Sequence, residues 1–359
     1  MRIFRPVRGG SVLVTLSLVV AVVAGAGAVV MLTRPSPRVP QAQATSSPEP
    51  SPAFPSPTPT PSPTASAEPT PTPSITPSSP TPSPEPAPRK KKVVRPRLVP
   101  FRGLGAWVDL WDYGDLDPAA TVADLKRHGV RTMYVQTGRF NTEDAVSPEV
   151  GPWLVAAHGA GMDVVGWYLP AYKHMKRDVR RGVAVGTYRY QGHAFDGVGI
   201  DIEWKNDVPN PEWNDRVVEH LQQVRAAVRR RVAVAAIVPP PLQMEVAPVR
   251  WAGFPWRGIA RHSDVIMLMS YWSYRDCENI PDHCAYPFTS KNLEETRRLI
   301  GDAGMPIHSI GGVGDRITRD EVEDFVRGAQ DGRAYGASLY DVRTTSEDFW
   351  PVLARLRSL

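Results

Sequence analysis

Residues 99–359 are predicted to fold as one (β/α)8 TIM barrel of the α/β class, preceded by a transmembrane helix and a disordered Pro-rich linker. Three observations predict the barrel. The segment holds about 260 residues, the usual size of a single barrel of this kind. It contains eight apolar runs of strand length, each parted from the next by a helical pattern, and such alternation builds a parallel sheet covered by helices. No glycine-rich phosphate loop follows any run, which disfavours an open doubly wound sheet.

The strands are expected, in order, at Leu104–Leu110, Arg131–Thr137, Met162–Tyr168, Gly197–Glu203, Val232–Val238, Asp264–Tyr271, Pro306–Gly311 and Gly336–Asp341. Asp117-Pro118 supplies a helix N-cap followed by proline at the first helical position, and Gly129 ends that helix. Ser147-Pro148 repeats the device. After the fourth strand, Trp213, Val217, Leu221, Val224 and Val228 recur at helical spacing. Thr318 and Glu321 form a capping box ahead of Val322, Phe325 and Val326.

The first 98 residues have a different character. Arg2, Arg5 and Arg8 precede an uncharged apolar run from Ser11 to Leu32, long enough to span a bilayer. Residues 1–34 are therefore expected to be a single-pass membrane signal-anchor with the N-terminus in the cytoplasm. Cleavage near Ala42-Gln43-Ala44 and secretion is the alternative. Residues 35–98 are the linker. Its stretch 35–88 carries 20 of the 38 prolines, mixed with Ser and Thr, and cannot bury a core. Extended at about 3.1 Å per residue, that stretch would reach on the order of 170 Å. The barrel is thus expected outside the cytoplasm, as a monomer.

Charge argues against nucleic acid as a partner. Residues 1–100 hold 11 basic against 3 acidic residues, which leaves 31 basic and 34 acidic residues in the remainder. The net charge of +5 belongs to the N-terminal third, and the barrel is slightly acidic. Cys277 and Cys284 are the two cysteines, and outside the cytoplasm a disulfide between them is the default. Zinc would need two further ligands; His283 is adjacent, but nothing supplies a fourth. No metal and no cofactor are expected. His128 and His158 precede glycines at helix ends, where capping explains them, and His308 starts a strand and faces the barrel bottom.

Barrel sites lie at the C-terminal ends of the strands. Those ends offer Asp109, Trp111 and Asp112 on the first strand and Gln136 on the second, with Arg139 just beyond. The third ends in Trp167 and Tyr168, the sixth in Tyr271 and Trp272, and the eighth in Tyr340 and Asp341. Trp107 and Met269 are assigned to the core. The fourth strand is the most informative: in Asp196-Gly-Val-Gly-Ile-Asp-Ile-Glu203-Trp204, alternation places Gly199, Asp201 and Glu203 on one face and Val198, Ile200 and Ile202 on the other. Carboxylates converging with aromatic rings suit a carbohydrate polymer or oligosaccharide, because rings cover the C–H faces of sugars and acids bond hydroxyls or move protons.

These residues resemble the chitinase-type glycosidases of glycoside hydrolase family 18. The family's fourth strand reads Asp-x-x-Asp-x-Asp-x-Glu, and this chain has Asp196, Gly199, Asp201 and Glu203 there. Its sixth strand reads Met-x-Tyr-Asp, matched by Met269-Ser270-Tyr271-Trp272, and its eighth ends in a tryptophan where this chain has Tyr340. The resemblance implies a divergent member in which Glu203 is the general acid/base. Asp201 would steady the substrate's acetamido group as it attacks the anomeric carbon, with Tyr271 bonded to it. Asp109, Trp111, Asp112, Gln136, Tyr168, Trp204, Trp272, Tyr340 and Asp341 are the expected substrate-binding residues.

Gly199 and Trp272 replace two family aspartates. A two-carboxylate mechanism therefore stays open, with Asp109, Asp112 or Asp341 as partner to Glu203. So does a non-catalytic glycan-binding or cell-wall-associated barrel.

Overall fold

The structure, a computed structural model, describes residues 97–205, 209–229, 231–246, 251 and 253–359. The expected membrane segment and nearly all of the expected linker lie outside the described residues. No helix among the described residues is long and apolar enough to cross a membrane.

Eight parallel strands close into a barrel in sequence order. They are β1 (Gly103–Val108), β2 (Thr132–Arg139), β3 (Asp163–Leu169), β4 (Gly197–Asp201), β5 (Ala233–Val238), β6 (Val265–Met269), β7 (Ile307–Val313) and β8 (Gly336–Tyr340). Gly103 and Leu104 pair with Gly336 and Ala337 to close it. The expected TIM barrel is therefore the observed fold. The helices that flank the site are α1 (Pro118–Arg127), α2 (Val150–Gly159), α3 (Met175–Thr187) and α4 (Asn210–Val228), with α5 (Arg319–Asp331) before β8.

Period-two alternation sorts the core into two layers. Trp107, Tyr134, Val165, Trp167, Ala235, Ile237, Met267, Met269 and Ile310 fill the lumen. Val108, Val135, Tyr168, Val198, Ile200, Val234 and Leu268 point outward onto the helices. Trp107 and Met269 are core, as assigned. His308 is fully buried, its Nε2 2.9 Å from Ser338 Oγ, and Trp107 Nε1 donates to the same hydroxyl at 2.8 Å. Its Nδ1 lies 3.1 Å from the Phe101 carbonyl just below β1, which places it at the barrel floor. Burial pushes this imidazole down to about 4, so it stays neutral there.

The helix signals held in most places. Asp117 accepts from the Ala120 N–H with Pro118 behind it, and Thr318 and Glu321 form the reciprocal box of α5. The apolar stripe of α4 is buried along its length. Ser147-Pro148 is the exception: α2 begins at Val150 without a side-chain cap, because Ser147 and Pro148 form the turn that leads into it. Cys277 and Cys284 are joined by a disulfide across the loop after β6, with Cα atoms 4.6 Å apart.

Asp196, the first aspartate of the fourth-strand motif, sits at the opposite end of the barrel from Glu203. Its Oδ2 accepts from the Val164 N–H at 2.9 Å and lies 3.0 Å from His158 Nε2. Asp264 does the same for the Val234 N–H ahead of β6. Both aspartates satisfy strand amides at the barrel bottom, a structural use of the residue type.

Candidate active site at the barrel mouth

The site is built from the strand ends upward. β4 ends at Asp201, held by its ladder to Ile237, and the Ile202 N–H donates to the Ile237 carbonyl at 2.8 Å. Asp201 is 5% exposed and faces the lumen; Glu203 follows just past the strand and is exposed. Asp201 Oδ1 is buried with no hydrogen-bond partner among the described residues. Burial holds its carboxyl well above the usual carboxylate range, the Glu203 charge adds to this, and Arg139 opposes it.

A second group of carboxylates stands across the β8–β1 junction. Asp109, Asp112 and Asp341 bring one oxygen each within 4.8 Å of the others, and all three are buried. Asp109 Oδ1 accepts from the Trp111 N–H at 2.8 Å, and Oδ2 accepts from the Tyr340 hydroxyl at 3.0 Å. Asp112 Oδ2 accepts from the Asp109 N–H at 2.8 Å. Asp341 Oδ1 accepts from the Thr344 N–H at 3.0 Å. Burial raises all three carboxyls; for Asp112 the Asp109 charge adds to burial, and it reaches about 7. Arg343 is the cation beside them among the described residues: its Nε lies 3.7 Å from Asp112 Oδ1 and its Nη1 2.9 Å from Asp115 Oδ2.

Aromatic rings connect the two groups. Tyr271 and Tyr340 lie with ring centroids 6.0 Å apart. Burial raises the Tyr271 phenol, and the charges of Glu203, Asp201 and Asp341 raise it further, so this ring stands between the two acidic walls. Trp111 is 61% exposed at the rim, with the Arg139 guanidinium 5.1 Å from its ring centroid. Trp204 packs on Phe140 at 5.0 Å. Gln136 is buried, and its Oε1 accepts from the Leu110 N–H at 3.2 Å, so it shapes the loop that carries Trp111 and Asp112.

Two expected binding residues lie elsewhere. Trp272 is 2% exposed in the outer core, 5.1 Å from the Phe325 ring and directly over Gly311 and Gly312. It presents no face to a ligand, because the chain after Tyr271 turns outward over β7. Tyr168 also points outward, donating to Asp178 Oδ1 at 2.6 Å. Its neighbour Trp167 is the lumen residue. The pairing of Trp167 with Gly199 fixes that parity, since register partners share a face, and this is the signal that would have selected Trp167 over Tyr168.

Gly199 explains its own identity. A Cβ there would stand 2.9 Å from Trp167 Cβ and 3.0 Å from Ile237 Cδ1. The lumen has no room for the aspartate of the family pattern. Arg181 on α3 was not foreseen either. It is buried and donates to the carbonyls of Arg139, Thr142, Glu143 and Asp144 and to Thr142 Oγ1, which fixes the loop that aims Arg139.

No family model matches the sequence, and no curated protein is similar to it in sequence. Solved structures do match. A chitinase from Chromobacterium violaceum superposes with TM-score 0.53 at 13% identity, covering 72% of this chain and 99% of that one. A class V chitinase from Pseudomonas fluorescens gives 0.54 at 8% identity, covering 71% and 99%. The glycoside hydrolase domain of PgaB (BpsB) from Bordetella bronchiseptica gives 0.51 at 12% identity, again covering 71% and 99%. Sequence identity this low establishes a shared fold: this chain is a (β/α)8 barrel similar to that of the chitinases.

Proposed function

We propose that the protein is an extracytoplasmic, membrane-anchored glycoside hydrolase acting on a polysaccharide or cell-envelope glycan. The observation that carries this reading is Asp201 and Glu203 at the end of β4, one buried with an orphaned oxygen in the lumen and one open to solvent beside it. Glu203 protonates the leaving glycosidic oxygen, and Asp201 steadies the sugar at the reacting centre. Tyr271 and Tyr340 line that sugar, and Trp111 with Trp204 extends the surface outward. Relatives in fold act on or bind such ligands: one solved structure is a Cycas revoluta family 18 chitinase in complex with (GlcNAc)4.

The test is reducing-end release by the full chain on acetylated and unacetylated glycans, beside Glu203→Gln. Turnover abolished in the variant, with folding and sugar binding retained, is expected; wild-type rates in Glu203→Gln would sink the assignment. A non-catalytic glycan-binding barrel is the second reading, favoured by Gly199, which leaves Asp201 without the neighbouring carboxylate of the family pattern. It predicts saturable binding with no new reducing ends from any glycan.

A further inference from the structure

Resting on the hydrolase reading of Asp201 and Glu203, we propose that the glycan taken at the barrel mouth is acidic. The Arg139 guanidinium receives a carboxylate or phosphate carried on its sugars, and a basic cleft between α3 and α4 holds further anionic units of the same chain.

Arg139 is the first ground. It ends β2 half-buried, its guanidinium over the exposed Trp111 ring and within electrostatic reach of Asp201. Its Nε is buried without a hydrogen-bond partner, and its side chain forms no ion pair, among the described residues. The backbone that carries it is nevertheless fixed. Arg181 donates to the carbonyls of Arg139, Thr142, Glu143 and Asp144, and the Arg139 N–H donates to Thr142 Oγ1 at 3.2 Å. An unpaired guanidinium on a fixed backbone beside a rim indole needs little ordering on binding. Its planar fork matches a carboxylate or phosphate bidentately, and such charge-assisted bonds are about twice as strong as those to a neutral hydroxyl.

The second ground is a separate group of cations. Leu169 pairs with Arg139, and the chain beyond Leu169 runs into an open cleft of about 500 Å³ at the start of α3. Lys173, Lys176, Arg177, Arg180 and Arg216 line this cleft against one acid, Glu219. Arg216 is bonded to Glu212 and to the Tyr172 carbonyl. Lys173, Lys176, Arg177 and Arg180 form no ion pair among the described residues, and Arg177 Nε is buried without a partner. The barrel as a whole is slightly acidic, so these cations depart from its average surface. Gathered on the mouth side, they raise the local concentration of an anionic chain. A concave lining drawn from two helices suits a flexible polymer better than a flat lipid surface.

The aspartates at the β8–β1 junction do not oppose such a ligand. Burial raises the carboxyls of Asp109, Asp112 and Asp341, which favours their uncharged, proton-bearing forms. In that form a carboxyl donates a hydrogen bond instead of repelling an anion.

The experiment is calorimetric titration of the full-length Glu203→Gln chain at about pH 6 with three tetrasaccharides. One is N-acetylglucosamine throughout, one alternates N-acetylglucosamine with glucuronic acid, and one is N-acetylglucosamine phosphorylated at the 6-hydroxyls. At least one anionic ligand is expected to bind about tenfold or more tightly than the neutral one, and which one does so tells carboxylate from phosphate. The ratio of anionic to neutral affinity should shrink with salt, fall partway in Arg139→Lys and be lost in Arg139→Gln. Octasaccharides of the preferred ligand should gain affinity, and Lys173→Gln with Arg177→Gln should remove that gain while circular dichroism stays unchanged. Equal affinity for neutral and anionic tetrasaccharides overturns the proposal, as does a ratio unchanged in Arg139→Gln. Binding to phosphatidylglycerol vesicles that is lost in the double variant, with no preference among tetrasaccharides, reassigns the cleft to a membrane. Reducing-end release by the wild-type chain separates the inference from the reading beneath it. Hydrolysis of neutral glycans that depends on Glu203, without a preference for anions, sinks the inference alone. A preference that depends on Arg139, without hydrolysis of any glycan, sinks the hydrolase reading alone.

Discussion

The Tyr340 hydroxyl donates to Asp109 Oδ2 at 3.0 Å, so the last strand of the barrel is bonded to the first at the height of the mouth. The same carboxylate accepts the Trp111 N–H, and one contact thereby couples strand closure to the placement of the exposed indole. Tyr340 also stands 6.1 Å from Trp107, which ties the acidic wall to the packed lumen beneath it.

Tyr340→Phe should remove a donor to Asp109 and cost about 1 kcal/mol in urea denaturation. Burial already raises the Asp109 carboxyl, and losing the donor should raise it further. The loss should therefore be smallest in acid, where the carboxyl is protonated, and should grow as pH rises. A pH-independent cost would show that the hydroxyl does not support the ionised form.

Asp112 imposes a pH dependence of definite sign. Its carboxyl rises from 3.8 to about 7 on folding, so between those values the folded chain holds a proton that the unfolded chain releases. Its contribution to stability is fully present in acid and is lost as pH rises through about 7. Thermal unfolding of Asp112→Asn across pH 4–8 should show a shallower decline than wild type; parallel curves would contradict the assignment.

Adding a side chain at position 199 should destabilise the barrel without creating activity. Gly199→Ala is expected to cost about 1–3 kcal/mol by overpacking against Trp167 and Ile237, and Gly199→Asp more, since it also buries a charge. Chemical denaturation measures the cost. A Gly199→Asp chain as stable as wild type would mean that the lumen yields there.

The two tryptophans should behave oppositely. Trp272→Ala opens a cavity under Phe325 and should cost about 3–5 kcal/mol, with glycan affinity unchanged in the molecules that remain folded. Trp111→Ala removes a ring that is 61% exposed, so stability should hold within about 0.5 kcal/mol while glycan affinity falls severalfold. Denaturation and affinity electrophoresis separate these effects.

The barrel was legible because its signals are local and repeated: strand runs, the Asp117 and Thr318 caps and the α4 stripe each required nothing beyond their own segment. The β4 parity was legible for the same reason, and Val198 and Ile200 do point outward. What failed needed information from elsewhere in the chain. Trp272 lies where the path after Tyr271 turns over β7, and a motif match cannot reveal that turn. Tyr168 and Trp167 are adjacent and aromatic, so only the register with Gly199 separates them. Arg181 acts on a loop some forty residues upstream, and nothing in its own neighbourhood announces a partner.

The contact of Gly199 with Trp167 and Ile237 also has a historical consequence. Positions 167, 199 and 237 lie on three different strands yet pack as one unit, so volume gained at one must be surrendered at another. A chain with this β3 and β5 cannot reach a two-aspartate fourth strand through one tolerated substitution. The order of changes matters, with a smaller residue at 237 and the loss of the Trp167 Cβ contact, by glycine there or a shift of β3, having to come first. Epistasis of this kind would hold the lineage to whatever chemistry a single aspartate at β4 permits.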